Sequence, residues 1–118
     1  MDPNTFDHGI RDLNHSVRSI RNFIQSIKDT QRMQEKAKEH FMLCCDRDRN
    51  PKSEECQELS NTIEKVENKI KTSNEVAESC KKHWMKEFEE ICKYSVLDNK
   101  QKAQCNMVKH EFNKVYPN

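Results

Sequence analysis

Glycine is almost missing from this chain of 118 residues: Gly9 stands alone, with three prolines at Pro3, Pro51 and Pro117. β-Hairpins need turn residues that accept a positive or a fixed φ, so a chain this poor in them has few places to reverse a strand. Loops that cradle nucleotide phosphates need several glycines to bring backbone amides onto the phosphate, and one glycine excludes them. No apolar run approaches the roughly 20 residues that cross a bilayer. The opening Met1-Asp2-Pro3-Asn4 has no apolar stretch of the signal-peptide kind. Two origins fit that start: a mature secreted chain with an added methionine, or a protein that enters an oxidising compartment without a cleaved signal. A charge excess is lacking as well, with 21 Lys and Arg against 20 Asp and Glu for a net +1. That balance suits neither nucleic acid nor an anionic membrane surface, and no aromatic residues interleave with the basic ones as single-strand binding requires.

What is present is helix-forming: Lys, Glu, Gln, Met, Leu and Ala run throughout. The expected fold is all-α, a single domain over residues 1–118. Hydrophobic residues make up 33% and charged residues 35%, a thin supply of core for a globular domain. Covalent bracing is therefore expected, and six cysteines, Cys44, Cys45, Cys56, Cys80, Cys92 and Cys105, can provide it.

Apolar spacing predicts the helices. Phe6, Ile10, Leu13, Val17, Ile20, Ile24 and Ile27 recur in alternating steps of four and three, the seam of a heptad repeat, with Asn4 or Thr5 as its cap. The pattern then shifts phase through Met33, Ala37, Phe41 and Cys44, and Asp29-Thr30 marks either a break or a stutter. A charged loop from Asp46 to Pro51 closes this region. A second seam, capped by Ser53, runs through Cys56, Leu59, Ile63, Val66 and Ile70, and continues in register through Ser73, Ala77, Cys80, Trp84, Phe88 and Ile91. Thr72 and Glu75 have capping-box spacing among helix-poor residues, which favours a break there. A last helix starts at Asp98 and buries Cys105, Val108, Phe112 and Val115. The expectation is thus a disulfide-stapled bundle of four to five helices with antiparallel neighbours, and Trp84 in its core.

Cys45 and Cys56 lie almost symmetrically about the first loop, and Cys92 and Cys105 about the Asp98 turn. In an antiparallel helical hairpin, equidistance from the turn puts two residues side by side, within disulfide range. These two pairs are favoured, leaving Cys44 for Cys80. An even count and turn-straddling pairs favour an oxidising compartment over a reducing one.

Catalysis and metal binding find little support. His40 with Cys44, Cys80 with His83, and Cys105 with His110 are isolated ligand pairs without the doubled spacing of a zinc site, and no His-Glu-x-x-His occurs. No enzyme activity, metal or cofactor is expected. Glu87, Glu89 and Glu90 read as a solvated helix face. The surface feature of most interest is a basic one. Arg11, Arg18 and Arg32 share a heptad-spaced stripe with Arg21 and Lys28 beside it, and the acids between residues 11 and 32 are only Asp12 and Asp29. This stripe either pairs with acidic residues of the chain's own helices or docks an acidic partner. Asn14-His15-Ser16 is a glycosylation sequon, relevant to a secreted chain.

The doublet Cys44-Cys45 with Cys56, Cys80, Cys92 and Cys105, set on helices without glycine-rich loops, resembles the small helical salivary proteins of blood-feeding insects, the mosquito anophensin/albicin-type group. That resemblance covers size, helicity and cysteine style, and transfers no functional residue. It implies a secreted, disulfide-bonded, non-enzymatic inhibitor of a host plasma cascade, complement or the contact system, monomeric and acting on a host protease complex. Two other classes compete. One is a disulfide-bonded structural subunit of the mitochondrial intermembrane space, though the segments Cys45-x10-Cys56 and Cys80-x11-Cys92 depart from the paired Cys-x9-Cys of such proteins. The other is a coiled-coil adaptor using the Phe6–Ile27 seam to pair with another helix.

Overall fold

A computed structural model of the chain describes residues 3–46, 54–93 and 96–116. They form three long helices, with no strand among them: α1 (Pro3–Phe41), α2 (Glu54–Phe88) and α3 (Asn99–Val115). Short π-helical segments extend the first two, at Met42–Asp46 after α1 and Glu89–Lys93 after α2. The all-α fold is as the composition requires, but the helices number three rather than four or five.

The favoured break at Thr72–Glu75 and the alternative of a break at Asp29-Thr30 are both bridged by continuous helix, for local reasons. At Asp29-Thr30, the Thr30 hydroxyl donates to the Ser26 carbonyl one turn back at 2.9 Å, and Gln25 Nε2 donates to Asp29 Oδ1 at 3.0 Å. The polar side chains that favour a break are thus satisfied inside the helix. The seam does change phase. After Ile27 a second consecutive step of three leads to half-buried Thr30, and it continues through half-buried Gln34, Ala37 and Phe41, while Met33 stays 71% exposed. Gln34 Nε2 donates to the Ile63 carbonyl across the hairpin at 3.4 Å, so a polar residue occupies the seam where an apolar one was expected. At Thr72–Glu75, buried Ile70 and Ala77 with half-buried Ser73 carry the second seam straight on. An uninterrupted packed face outweighs a few helix-poor residues.

Helix ends follow their capping chemistry. Pro3 occupies the first turn of α1, where its missing N–H costs nothing, so Asn4 and Thr5 lie within the helix rather than capping it. Asp98 caps α3 as expected. Its carboxylate accepts from the Gln101 amide at 2.7 Å, and Gln101 Oε1 accepts from the Asp98 amide at 3.0 Å, a closed capping box. Ser53 and the residues of the first loop beyond Asp46 lie outside the described residues.

The chain divides into two compact units, residues 1–24 with 77–118, and residues 25–76. The first is a three-helix bundle. Its core holds Phe6, Ile10, Leu13, Val17, Ile20, Trp84, Cys105, Val108 and Phe112, with Ile24, Phe88, Ile91 and Leu97 packed against it. Trp84 is 1% exposed, and its indole N–H donates to the Leu13 carbonyl at 3.0 Å. Its ring stacks on Phe112 at 4.0 Å and on Phe88 at 5.3 Å. The first seam, from Phe6 to Ile20, is thus consumed inside the chain. Direction follows from the contacts. Leu13 meets Trp84 and Arg21 meets Glu111, while Tyr116 meets Ala77, so α2 runs antiparallel to both α1 and α3, and α1 and α3 are parallel. The lone glycine sits against Ile91: a Cβ on Gly9 would come 2.5 Å from Ile91 Cδ1.

The second unit is a helical hairpin. Its buried apolar residues are Ile27, Cys45, Cys56 and Ile70. Cys45 and Cys56 are joined, Cα atoms 5.8 Å apart, and Cys92 and Cys105 are joined at 5.9 Å in the first unit. Both turn-symmetric pairs are therefore present. Each bridge begins in a π-helical segment, whose wider turn takes up one more residue than an α-turn. Cys45, four residues after Phe41, lies at the end of the first seam. The Cys44–Cys80 expectation fails, because Cys80 carries a free, half-buried thiol packed against the core of the first unit. That pairing joined two leftovers and had no shared turn to bring them together. The Cys44 side chain lies outside the described residues.

Candidate functional site

A groove of about 520 Å3 runs along the first unit between the parallel helices α1 and α3. Helix α1 supplies Asp7, Ile10, Arg11, Asn14, His15 and Arg18 to its walls, and α3 supplies Gln104. Helical geometry sets this row: positions 7, 11, 14 and 18 return to one face every three or four residues. The adjoining flank of the same helix buries Leu13 and Val17, with Ile10 at the border between core and groove. The groove is thus the outer flank of the seam that builds the core. Asn14 turns its amide onto the Ile10 carbonyl at 3.1 Å, which places the sequon asparagine in the groove on continuous helix.

The five basic residues picked out in the sequence do not act as one group. Arg21 is engaged within the chain: its guanidinium donates to Glu111 Oε2 at 2.9 Å, and Lys114 reaches Glu111 Oε1 at 3.2 Å. The Lys114 hydrogen bond and charge, with smaller help from Arg21, hold the Glu111 carboxyl below its ordinary range. For Arg21 the intramolecular alternative is the one realised, with its partner on α3. Arg11 and Arg18 are exposed, line the groove, and form no ion pair among the described residues. Lys28 and Arg32 belong to the second unit, where Arg32 lies 3.7 Å from Asp29, three residues back. The structure brings Arg11 and Arg18 together with Asn14 and His15, which helical spacing sets beside them, and with Gln104 of α3, which no pattern in the sequence links to them.

On another side of the bundle, Lys109 Nζ lies over the aromatic cluster, 5.1 Å from the Phe112 ring centre, 5.4 Å from Phe88 and 5.9 Å from Trp84, and contacts Met85 Sδ at 3.0 Å. Burial lowers its pKa, against an opposing pull from Glu89. The ammonium caps the apolar stack by cation–π attraction. Nothing in the spacing of Lys109 foretells this, because the three rings converge only once α2 and α3 pack.

Tyr116 anchors the end of α3, its hydroxyl donating to the Ala77 carbonyl at 2.7 Å. Burial, with smaller contributions from Cys80 and Glu78, pushes its phenol up to about 12. A raised folded-state value favours the neutral ring. Its contribution to stability is complete below the ordinary phenol range near pH 10 and is lost as pH rises through about 12. Ultraviolet titration should show a phenolate step near pH 12, absent from Tyr116→Phe. If every tyrosine ionises near pH 10, the burial assigned to Tyr116 is wrong.

Two members of the isolated ligand pairs are engaged elsewhere. Cys105 is committed to its disulfide, and His83 Nε2 lies 3.1 Å from Glu87 Oε1 on the same helix face. Among the described residues no three of His, Cys, Asp and Glu gather as metal ligands, and no helix is long and apolar enough to cross a membrane.

Comparison with protein-family models, with curated proteins and with solved structures returns no match, and none of the three identifies the salivary group whose cysteine pattern the chain resembles.

Proposed function

We propose that this protein is a secreted, non-enzymatic binding protein that acts by occupying an interaction surface on a partner protein. The observation that carries the reading is the pairing of a braced scaffold with two uncommitted arginines. Arg11 and Arg18 project from a helix packed into the core of the first unit, and the Cys92–Cys105 disulfide of that unit removes freedom that binding would otherwise have to remove. Disulfides that persist belong to oxidising surroundings, in keeping with an extracellular site of action. The target proposed is a component of a host plasma cascade, complement or the contact system, on the strength of the cysteine pattern.

The test uses the oxidised full chain as bait in plasma, alongside complement-lysis and contact-activation assays. Capture of a cascade component and inhibition at micromolar concentration are expected, with both reduced at least tenfold in an Arg11→Glu/Arg18→Glu variant, equivalent to about 1.4 kcal/mol or more. No effect on either cascade at that concentration overturns the proposed target. An effect that survives in the variant overturns the role of the arginines.

A further inference from the structure

We propose that the groove between α1 and α3 seats an acidic helix of the partner protein, which takes the fourth position of a four-helix bundle and sets two carboxylates against Arg11 and Arg18. This rests on the binding-protein reading and names the chemistry of the partner.

The spacing of the two arginines carries the inference. They stand one heptad apart on a continuous helix, about 10.5 Å along its axis at 1.5 Å per residue. A helix lying alongside α1 returns to the same face at the same interval, so carboxylates seven residues apart meet both guanidiniums. An extended chain presents same-side residues about 6.8 Å apart, at roughly 3.4 Å per residue, and falls out of step with the pair. Two parallel helices also form the natural bed for a third, as in helix-in-groove recognition and bundle packing.

The rest of the lining says what else that helix must carry. Asn14 and Gln104 offer amide groups, and His15 stands between the arginines, so the floor suits polar side chains better than the leucine stripe of a coiled coil. Charge sets the register. Asp7 lies one turn before Arg11 at one end of the groove, where a further carboxylate meets a like charge. Beyond Arg18, Arg21 is already neutralised by Glu111 at 2.9 Å. Acidic residues are therefore attracted over two turns and no further, and a helix carrying a long acidic run is placed no better than one carrying two well-spaced carboxylates.

The experiment titrates the oxidised full-length chain with side-chain-stapled helical peptides of three heptads on an Ala/Gln background. One carries two Glu residues seven apart. The second carries the same residues five apart, on different faces. An extended, proline-interrupted peptide of equal charge and the sulfated polysaccharide heparin complete the set. The heptad-spaced peptide should bind about tenfold or more tightly than the five-spaced and extended ones. Arg11→Glu/Arg18→Glu should remove that preference with circular dichroism and melting unchanged, and Lys28→Glu/Arg32→Glu should leave it intact. Amide chemical-shift changes should fall on residues 7–18 and around Gln104. Equal binding of all the acidic peptides, or heparin binding with none by the heptad peptide, overturns the proposal. Either result leaves the plasma capture assay free to succeed or fail independently, so the two readings fall separately.

Discussion

Trp84→Ala should destabilise the oxidised protein by about 3–5 kcal/mol, the largest single-residue effect in the chain. The indole is 1% exposed and lies between two other rings, so its loss leaves a cavity that Phe88 and Phe112 cannot close without leaving their stacked geometry. It also removes the second hydrogen bond to the Leu13 carbonyl, from the indole N–H at 3.0 Å, and leaves that oxygen only its own helix bond. Trp84→Phe separates the two contributions. It retains most of the ring area, and the lost hydrogen bond with the smaller volume should cost about 1–2 kcal/mol. Urea denaturation followed by far-ultraviolet circular dichroism measures both. A loss below about 1 kcal/mol for the alanine variant would mean that the ring is not a core element.

Cys45→Ala/Cys56→Ala should cost about 3 kcal/mol by releasing a closed loop in the unfolded chain, and the loss should be local. The bridge spans a sequence separation of 11. Of the four buried apolar residues in the unit covering 25–76, two are the bridged cysteines themselves. Ile27 and Ile70 remain, with a seam of half-buried Thr30, Gln34, Ala37, Leu59, Ile63 and Val66. An isolated pair of helices with that little burial does not offset its conformational entropy. Hydrogen exchange on the variant should show near-complete loss of amide protection over the hairpin, with the core amides around Leu13, Trp84 and Val108 still protected. Protection unchanged over 25–76 would show that the half-buried seam suffices without the bridge. Cys92→Ala/Cys105→Ala provides the contrast, since that pair backs onto an aromatic core that retains its packing.

Much of the fold could be read from apolar spacing. The seam from Phe6 to Ile20, the second seam through Ile70 to Trp84, and the buried face of α3 at Cys105, Val108 and Phe112 all follow from period and burial alone. Turn symmetry found both disulfides. The misses share a cause. Asp29-Thr30 and Thr72–Glu75 look like breaks by propensity, yet each is carried by interactions that propensity does not contain, a hydroxyl folded back onto Ser26 in one case and an unbroken packed face in the other. Those two places nevertheless lie within a few residues of the boundaries between the compact units. On the shifted seam Ala37 and Phe41 are where expected and only Met33 is misplaced, because Gln34, one position on, holds that place by finding the Ile63 carbonyl. Of the candidate site, the arginines were legible and the groove was not: Gln104 comes from the last helix, and Arg21 is removed from the stripe by Glu111, also far away in sequence.

The placement of the two cystines also decides what a protease can achieve. Each ties the close of one helical segment to the next helix. A single hydrolysed peptide bond between Cys45 and Cys56, or between Cys92 and Cys105, adds a water to the mass and liberates no fragment. Such a nick goes unseen on a non-reducing gel and shows as two pieces once thiol is added. A molecule released among hostile proteases would thus outlast its first cut in one piece.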